Sequence, residues 1–409
     1  MSIAKSRVGI VGGSFAGCAV AHALQRVGCD VTIYERTRGE LRDRGAGVGI
    51  PAALRDDLVS AGYIRPAMPV CPASERVWIG RDGDADAGRV LWTQPLAASV
   101  NNWGVLWWEL RKQLDSNVYR EGVAITDIIN EGESGATVVL EGGIRERFDL
   151  VVGADGYRSK VRSVVQPGAR PSYAGYVLFR GNYVESMLPE PHAAYLPHAL
   201  KTVVFPGGHA VFSILPSFTG GAEPGHRIIN WTIHTKPPEG MRFDDPSSLP
   251  PGTVNEELIA HYRQLVDRHF PPYFARVVRV TEPQFLFLQP IYDQTMATYV
   301  SGRVVLAGDA ATVTRPHTAS GAAKALEDAL ALERAARGHA DWSSALKAYD
   351  EERCAAGNRL VELGRRLGRA QVEETPDWPS MTAEQWEQWT RASLAGQKLY
   401  VNVVASDEA

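Results

Sequence analysis

Three glycine–acid clusters and a few scattered histidines are the residues of this chain whose types and spacing can do chemistry. Gly12-Gly13-Ser14-Phe15-Ala16-Gly17 follows the apolar run Val8–Val11 and opens a helical pattern. In that context a glycine turn offers backbone N–H groups and the positive end of a helix to a phosphate. Gly12 makes the tight turn and Gly17 lets helix and strand approach closely. Ser14 stands where a third glycine is usual, and its hydroxyl is small enough to reach a phosphate itself. Glu35 lies 21 positions beyond Ser14, at the end of the next apolar run. A carboxylate placed there accepts the hydroxyls of an adenosine ribose.

Asp155-Gly156 closes a second apolar run, Val151-Val152-Gly153-Ala154, and Gly308-Asp309 closes a third, Val304–Ala307. Alone, Asp155 reads better as the N-cap of a strand-to-helix turn, and it gains weight as a cofactor group only in company with the other two clusters. Asp309 is suited to ribityl hydroxyls, and the helix after it would aim its positive end at a flavin pyrimidine ring. The three clusters, in this order and spacing, point to one elongated cofactor held by distant pieces of chain. FAD is the cofactor that fits.

The elements that must position these groups follow from the pattern. Residues 7–12 and 31–34 are strands flanking a helix over 15–27, a βαβ unit with Gly28 at the helix end. Residues 303–307 form another buried strand, followed by helices near 319–337 and 343–371. Residues 105–118 and 254–269 read as helices, and 276–289 as strand. The runs 176–183, 202–205, 210–215 and 228–233, broken by Gly and Pro turns, indicate a second, mostly antiparallel sheet. The expected fold is α/β: a Rossmann-like FAD-binding domain with an inserted antiparallel substrate domain and a helical C-terminal segment. The boundaries read as 1–72, 104–171 and 290–360 for the first, 73–103 and 172–289 for the second, and 361–409 for the tail.

Bulk properties exclude several classes. A net charge of −4 with scattered Lys and Arg gives no electrostatic basis for nucleic-acid binding. No apolar run approaches the ~18 residues of a membrane span. Cys18, Cys29, Cys71 and Cys354 form no CxxC and read as buried thiols in a reducing, cytoplasmic setting. The histidines lack metal-ligand spacing, so no metal centre is expected.

Taken together, the motifs resemble the class A flavoprotein monooxygenases of the p-hydroxybenzoate hydroxylase fold. Within that class, the first glycine cluster, the run Tyr173-Ala174-Gly175-Tyr176 with Arg180-Gly181, and Arg315-Pro316-His317-Thr318-Ala319 are most similar to the 2,6-dihydroxypyridine 3-hydroxylase branch. The resemblance implies hydroxylation of a hydroxypyridine, as in bacterial nicotine degradation. NADH or NADPH, docking transiently, would reduce the flavin, O2 would add at C4a, and the hydroperoxide would transfer OH to the ring. Related activities implied are hydroxylation of 6-hydroxy-3-succinoylpyridine or of another phenolic ring, or FAD oxidoreduction without hydroxylation.

Carried over onto this chain, the resemblance gives the adenosine-diphosphate site Ser14, Phe15 and Glu35, with Arg36 available to stack on adenine. Arg44 and the stretch to Val48 match the loop that meets pyrophosphate and flavin, and Asp155 the mid-chain motif. Gly308 and Asp309 match the ribityl contact, and Pro316 through Ser320, with Ala319, the loop under the isoalloxazine. Trp107 departs from the pattern, since relatives carry a cofactor-directed Arg there, and Ser320 replaces a loop glycine. Candidate catalytic groups are His317, beside the flavin loop, His209 and Arg180. Candidate substrate-lining groups are His234, Ser213, Trp231 and Tyr195. The partners implied are a small aromatic and O2, with a homodimer as one possible assembly. The tryptophans of the tail, Trp378, Trp386 and Trp389, leave open an interface, a lid or a flavin-binding regulator.

Overall fold

Apolar runs without polar alternation can be stable only where both faces are covered, which is the situation of a parallel sheet under helices. The computed structural model, which describes residues 3–42, 46–188, 196, 199–243 and 249–399, uses four such runs this way. Val304–Leu306, Leu150–Gly153, Arg7–Val11 and Asp30–Glu35 lie side by side in a six-stranded sheet, edged by Val300–Ser301 and Tyr119–Glu121. The pairing is parallel except at Val300–Ser301. Val11 is level with Gly153, and Gly153 with Leu306. Register therefore brings the ends of all three motif strands to one height on the carboxyl edge, where open α/β sheets bind ligands.

The second sheet has eight strands, in the order Phe287–Asp293, Ser172–Val184, Ile228–Thr235, Gly208–Leu215, Ala199–Phe205, Cys71–Gly80, Arg89–Asn102 and Gly47–Pro51. It takes in Gly47–Pro51 from the segment expected to belong wholly to the flavin domain, and it runs past residue 289 to Asp293. Phe179, Phe212, Trp231 and Ile233 face one way, into a core with Tyr262, Val266 and Phe274. Those last three come from the helices Glu256–His269 and Pro272–Arg279. The strand expected over 276–289 is helix up to Arg279, turn through Leu286, and strand only from Phe287 onward. Its Val and Phe residues suggested a strand, but Pro272 starts a helix whose buried Phe274, Val277 and Val278 form one face.

Residues 125–148 add a three-stranded antiparallel sheet that was not anticipated. The helix expected over 105–118 is Trp103–Arg111. Gly321–Gly338 lies against Phe15–Val27 in the main core, and Trp342–Gly368 packs beside it before closing in a π turn at Arg369–Glu373. The tail helix Ala383–Leu394 folds back on the eight-stranded sheet: Trp378, Trp386 and Trp389 surround Trp78, with centroids 5.2–5.9 Å away. Three tail tryptophans are accordingly part of a core, two of them 1% exposed. Among the described residues, no helix is long and apolar enough to cross a membrane.

Candidate active site

The first glycine cluster is built as close approach requires. Gly12 has φ 103°, and a Cβ there would lie 2.4 Å from the carbonyl oxygen of Ala154. A Cβ on Gly17 would lie 1.9 Å from the Gly12 carbonyl oxygen. Gly13 donates its N–H to Glu35 Oε2 at 2.8 Å, while Thr37 N–H reaches Oε1 at 2.8 Å. A carboxylate has about four acceptor sites, so Glu35 keeps capacity for ribose hydroxyls. Ser14 is the N-cap of Phe15–Val27, yet its side chain does not cap the helix. With no acid in the first turn, the helix end keeps its positive character. Phe15 packs edge-on against Trp103 at 5.6 Å, and Arg36 is exposed.

Trp107, the departure noted in the sequence, is a strut. Its indole N–H and the Tyr119 hydroxyl both donate to the Gly13 carbonyl, each at 2.9 Å. Arg111, one helical turn later, stacks over Tyr119 at 4.2 Å.

The other two acids differ from each other. Asp155 accepts from the Ser159 hydroxyl, and from Lys160 N–H at 2.7 Å. It is thus engaged in capping its own turn, the alternative that the sequence had left open. Burial, the leading cause, raises its pKa despite those donors. Its neighbour Arg162 bridges the two motifs, donating from Nε to the Ala310 carbonyl at 2.9 Å and from Nη2 to the Asp309 carbonyl. Asp309, by contrast, has a carboxylate that is open to the cleft and makes no hydrogen bond among the described residues. The surrounding protein still desolvates it enough to raise its pKa, against the pull of Lys324 and Arg162.

What fixes Asp309 was not read from the sequence. Gly308 N–H donates to Asp328 Oδ2 at 2.9 Å, and Lys324 Nζ joins the Gly308 carbonyl at 2.7 Å to the same Asp328 oxygen at 3.0 Å. Arg353 Nε completes the cluster on Asp328 Oδ1 at 2.7 Å. Lys324 and Asp328 have no exposed surface. The available signal was a Lys and an Asp four apart in an Ala- and Leu-rich helix, a pair usually assigned to a solvated face.

The loop from Pro316 to Ser320 turns through Ala319, a non-glycine residue at φ 48°. Ser320 Oγ donates to the Thr318 carbonyl at 2.7 Å, and Gln397 of the tail donates to that carbonyl as well. Val48 pairs with Asn101, and a Cβ on the adjacent Gly49 would sit 3.7 Å from the Ala319 carbonyl oxygen. The residues present fit FAD. Glu35 and the Gly13–Ser14 helix end suit the adenosine diphosphate, and the unpartnered Asp309 carboxylate suits ribityl hydroxyls. The 47–49 and 316–320 segments would border the ring. Arg44 falls outside the described residues.

Facing this cradle is the side of the eight-stranded sheet opposite the helices. Strand alternation sends His209, Ser213, Asn230 and His234 to it, with His209 paired to His234 and Ser213 to Asn230. Asn230 Nδ2 donates to Ser213 Oγ at 3.2 Å. Trp231 is a correction: one residue out of phase, it points into the helical layer and donates its indole N–H to Thr281 at 3.0 Å. Tyr195 lies outside the described residues.

His317 arrives from the flavin loop and completes a cluster. Its ring centroid is 4.3 Å from His234 and 5.2 Å from His209, and His209 stacks on His234 at 4.6 Å. Burial, reinforced by Arg76 and by the other imidazoles, holds His209 and His317 well below the ordinary histidine range and brings His234 down to about 3. All three are therefore neutral at physiological pH.

A partner assigns one tautomer. His209 Nδ1 lies 3.4 Å from the Gln371 carbonyl, which can only accept, so Nδ1 carries the hydrogen and Nε2 is free to accept. Tyr176 Oη lies 2.7 Å from His317 Nε2, so this hydrogen bond takes up that nitrogen. Burial, the leading cause, raises the Tyr176 pKa, and the phenol keeps its proton. His317 Nδ1 is a buried atom with no partner, as is His234 Nδ1.

The expectation of no metal centre rested on spacing alone, yet one ligand atom from each of these histidines lies within 4.8 Å of the others. The planes of His209 and His234 are only 7° apart. Stacked rings send their in-plane lone pairs along separate lines, whereas a metal requires them to converge. A cavity of about 960 Å³ between Gly321–Gly338, Trp342–Gly368 and residues 395–398 touches this region at Pro51, Ser320 and Lys324, and is lined neither by Glu35, Asp155 or Asp309 nor by the three imidazoles.

Comparison with known proteins agrees with this geometry. Family models described as an FAD binding domain match residues 241–363, as FAD binding domain-like residues 173–293, and as an NAD(P)-binding Rossmann-like domain residues 10–39. The 2,6-dihydroxypyridine 3-monooxygenase of Paenarthrobacter nicotinovorans is 25% identical over 381 residues, covering 90% of this chain and 93% of its own. By these likenesses the chain is an FAD-binding monooxygenase. Two solved structures share the fold of this monooxygenase. The 2,6-dihydroxypyridine-3-hydroxylase from Arthrobacter nicotinovorans has a TM-score of 0.79 at 23% identity, over 91% of this chain and 94% of its own. Klebsiella pneumoniae HpxO, complexed with FAD and uric acid, has a TM-score of 0.73 at 21% identity, over 94% and 92%. The Rossmann-like match at 10–39 covers the same βαβ unit that carries Gly13, Ser14 and Glu35, so it coincides with the adenosine end of the FAD cradle.

Proposed function

We propose that this monooxygenase hydroxylates a hydroxypyridine-type ring, consuming NADH or NADPH and O2 and releasing the ring bearing one more hydroxyl, oxidised dinucleotide and water. The observation that carries this reading is the cluster of three neutral imidazoles on the sheet face opposite the flavin loop. A ring hydroxylated by electrophilic oxygen reacts best when electron-rich, and a neutral imidazole can accept a hydrogen bond from its hydroxyl and push electron density into the ring. The FAD supplies the oxygen-transfer chemistry when bound.

In this reading His234, and His209 through Nε2, accept hydrogen bonds from the ring hydroxyl. His317 presents Nδ1 to a ring oxygen or nitrogen, because Tyr176 occupies its other nitrogen. Ser213 and Asn230 supply further polar contacts at the wall. Arg76, whose charge lowers the histidine pKa values, would stabilise negative charge on the ring oxygen. The donor dinucleotide has no second βαβ unit of its own among the described residues, in keeping with transient docking. The similarity to the Paenarthrobacter enzyme supports the pyridine assignment.

The test is to assay purified, FAD-loaded protein against hydroxypyridines and matched phenols, following donor oxidation and product mass. Gain of one oxygen atom on a hydroxypyridine, coupled to donor consumption, is expected. Donor oxidation that yields only peroxide with every ring would overturn the reading in favour of a non-hydroxylating oxidoreductase. Turnover of phenols alone would move the substrate to that class.

A further inference from the structure

The loop that would border the flavin ring holds an unfavourable conformation, and one of the groups that hold it comes from the far end of the chain. Ala319 has φ 48° and ψ 20°, the left-handed region that a residue with a side chain occupies only when its surroundings enforce it. The peptide before it is clamped from both sides. Its N–H donates to the Pro316 carbonyl at 2.9 Å. Its carbonyl, that of Thr318, accepts from the Ser320 hydroxyl at 2.7 Å and from Gln397 Nε2. Gln397 is 2% exposed and lies 79 positions from Thr318.

The tail can hold the loop because it is itself held. Arg366 donates to the Ser393 carbonyl at 3.3 Å and to the Ala395 carbonyl, and Ala97 N–H donates to the Leu399 carbonyl at 3.0 Å. Leu399 is buried beside Gly49, where a Cβ would lie 3.7 Å from both Leu399 Cδ1 and the Ala319 carbonyl oxygen. The tail therefore meets both segments that would border the ring.

Just beyond Ala319 the loop becomes a helix. Gly321–Gly338 starts after Ser320, whose side chain does not cap it, and its first turn holds no acid. The first N–H groups of a helix have no partner within it and carry partial positive charge. Such charge favours a reduced, anionic flavin, so the direction of the chain through Ala319 bears on how readily the flavin takes electrons. A released Thr318–Ala319 peptide would turn this helix start and add a carbonyl dipole of opposite sign.

We propose that Gln397 is a positioning residue for the flavin. By holding the Thr318 carbonyl it keeps Ala319 in the left-handed turn that aims the start of Gly321–Gly338 at the ring, and it thereby raises the reduction potential of the flavin. This goes beyond the function proposed above, since it holds whichever ring is hydroxylated.

The test measures two properties of the FAD-loaded protein: its midpoint potential against reference dyes, and its FAD affinity by fluorescence titration. Gln397→Leu removes the donor and keeps most of the bulk. It should lower the potential by about 30 mV or more, a roughly ten-fold change in the two-electron equilibrium. FAD affinity should stay close to wild type, because the adenosine end is untouched. Ala319→Gly removes the backbone strain. Added to Gln397→Leu, it should therefore recover most of the lost potential. Thermal melts check that each variant is folded, and Gln397→Glu, which also lacks the amide donor, serves where Gln397→Leu is not. An unchanged potential in a folded, FAD-loaded Gln397 variant overturns the proposal. So does a double variant no better than the single one, which would make Gln397 a packing residue only. No substrate enters either measurement, so failure to hydroxylate a hydroxypyridine would refute the proposed reaction and leave this result standing.

Discussion

At the carboxyl edge of the six-stranded sheet, the groups with hydrogen-bonding capacity to spare are backbone N–H donors, the Ser14 hydroxyl and two carboxylates, Glu35 and Asp309. On the inner face of the eight-stranded sheet they are three uncharged imidazoles and a guanidinium, that of Arg180, with no acid paired to it among the described residues. The first set suits a polyol and a diphosphate. The second suits an electron-rich ring bearing a hydroxyl. The difference also lies in how each is held. The cradle is assembled from short motifs at strand ends, with Glu35 the last residue of Asp30–Glu35 and Asp309 shortly after Val304–Leu306, whereas the sheet face draws side chains from separate strands and a loop.

The largest way to break the comparison is at the support of the cradle. Asp328→Ala leaves Lys324 and Arg353 buried without their shared carboxylate, and uncompensated buried charge costs about 3–5 kcal/mol. A thermal melt should show the loss, together with reduced flavin content. A large loss of flavin content without destabilisation would instead mean that Asp328 touches the cofactor itself. Asp309→Ala is expected to leave the fold intact and weaken FAD by roughly 10- to 100-fold, the equivalent of about 1.5–3 kcal/mol of charged hydrogen bonding. Fluorescence titration of apoprotein with FAD measures it, and unchanged affinity would remove Asp309 from the site.

The sheet face is sharpened by acid. Its histidines have folded pKa values below the unfolded value near 6.5, so the unfolded chain binds more protons in that window. Their contribution is complete above pH 6.5 and is lost as pH falls from there toward about 3, the value for His234. Each histidine adds a slope of up to about 1.4 kcal/mol per pH unit. Urea denaturation between pH 7.5 and 5 should show this slope, reduced in His234→Gln; a variant with the wild-type slope would mean that His234 is already charged. The smallest effect concerns the tail that covers this face. Thr382 and Gln385 form a capping box, and Thr382→Ala should cost about 1 kcal/mol with FAD affinity unchanged. Reduced affinity would show that the tail, through Gln397 and the Thr318 carbonyl, governs the flavin loop.

Much of the cradle was legible because its requirements are local. Gly12, Gly17, Glu35 and Asp309 each follow from a strand end and a turn, and a strand end can be read from an apolar run. Asp155 was legible only as a choice between two roles, and its hydrogen bonds to its own turn decide for capping. His209, His234 and His317 were named from the sequence as separate candidates, but nothing in their spacing said that they touch. Trp231 was misplaced because a strand's side-chain direction flips with every residue, and the sequence does not say which side of an all-buried strand faces helices. The clamp of Lys324, Asp328 and Arg353 was invisible because its partners come from two helices whose packing no local pattern encodes.

By itself, then, the sequence determined the βαβ unit, the three strand-end motifs and the nature of the cofactor they hold. These depend on backbone geometry and on residues within a few positions of one another. Only the tertiary structure decided that Val11, Gly153 and Leu306 stand at one height and that three imidazoles share a neutral cluster. Register, burial and the presence or absence of a counter-charge are properties of neighbours in space, and residues more than a hundred positions apart become neighbours only when the chain has folded.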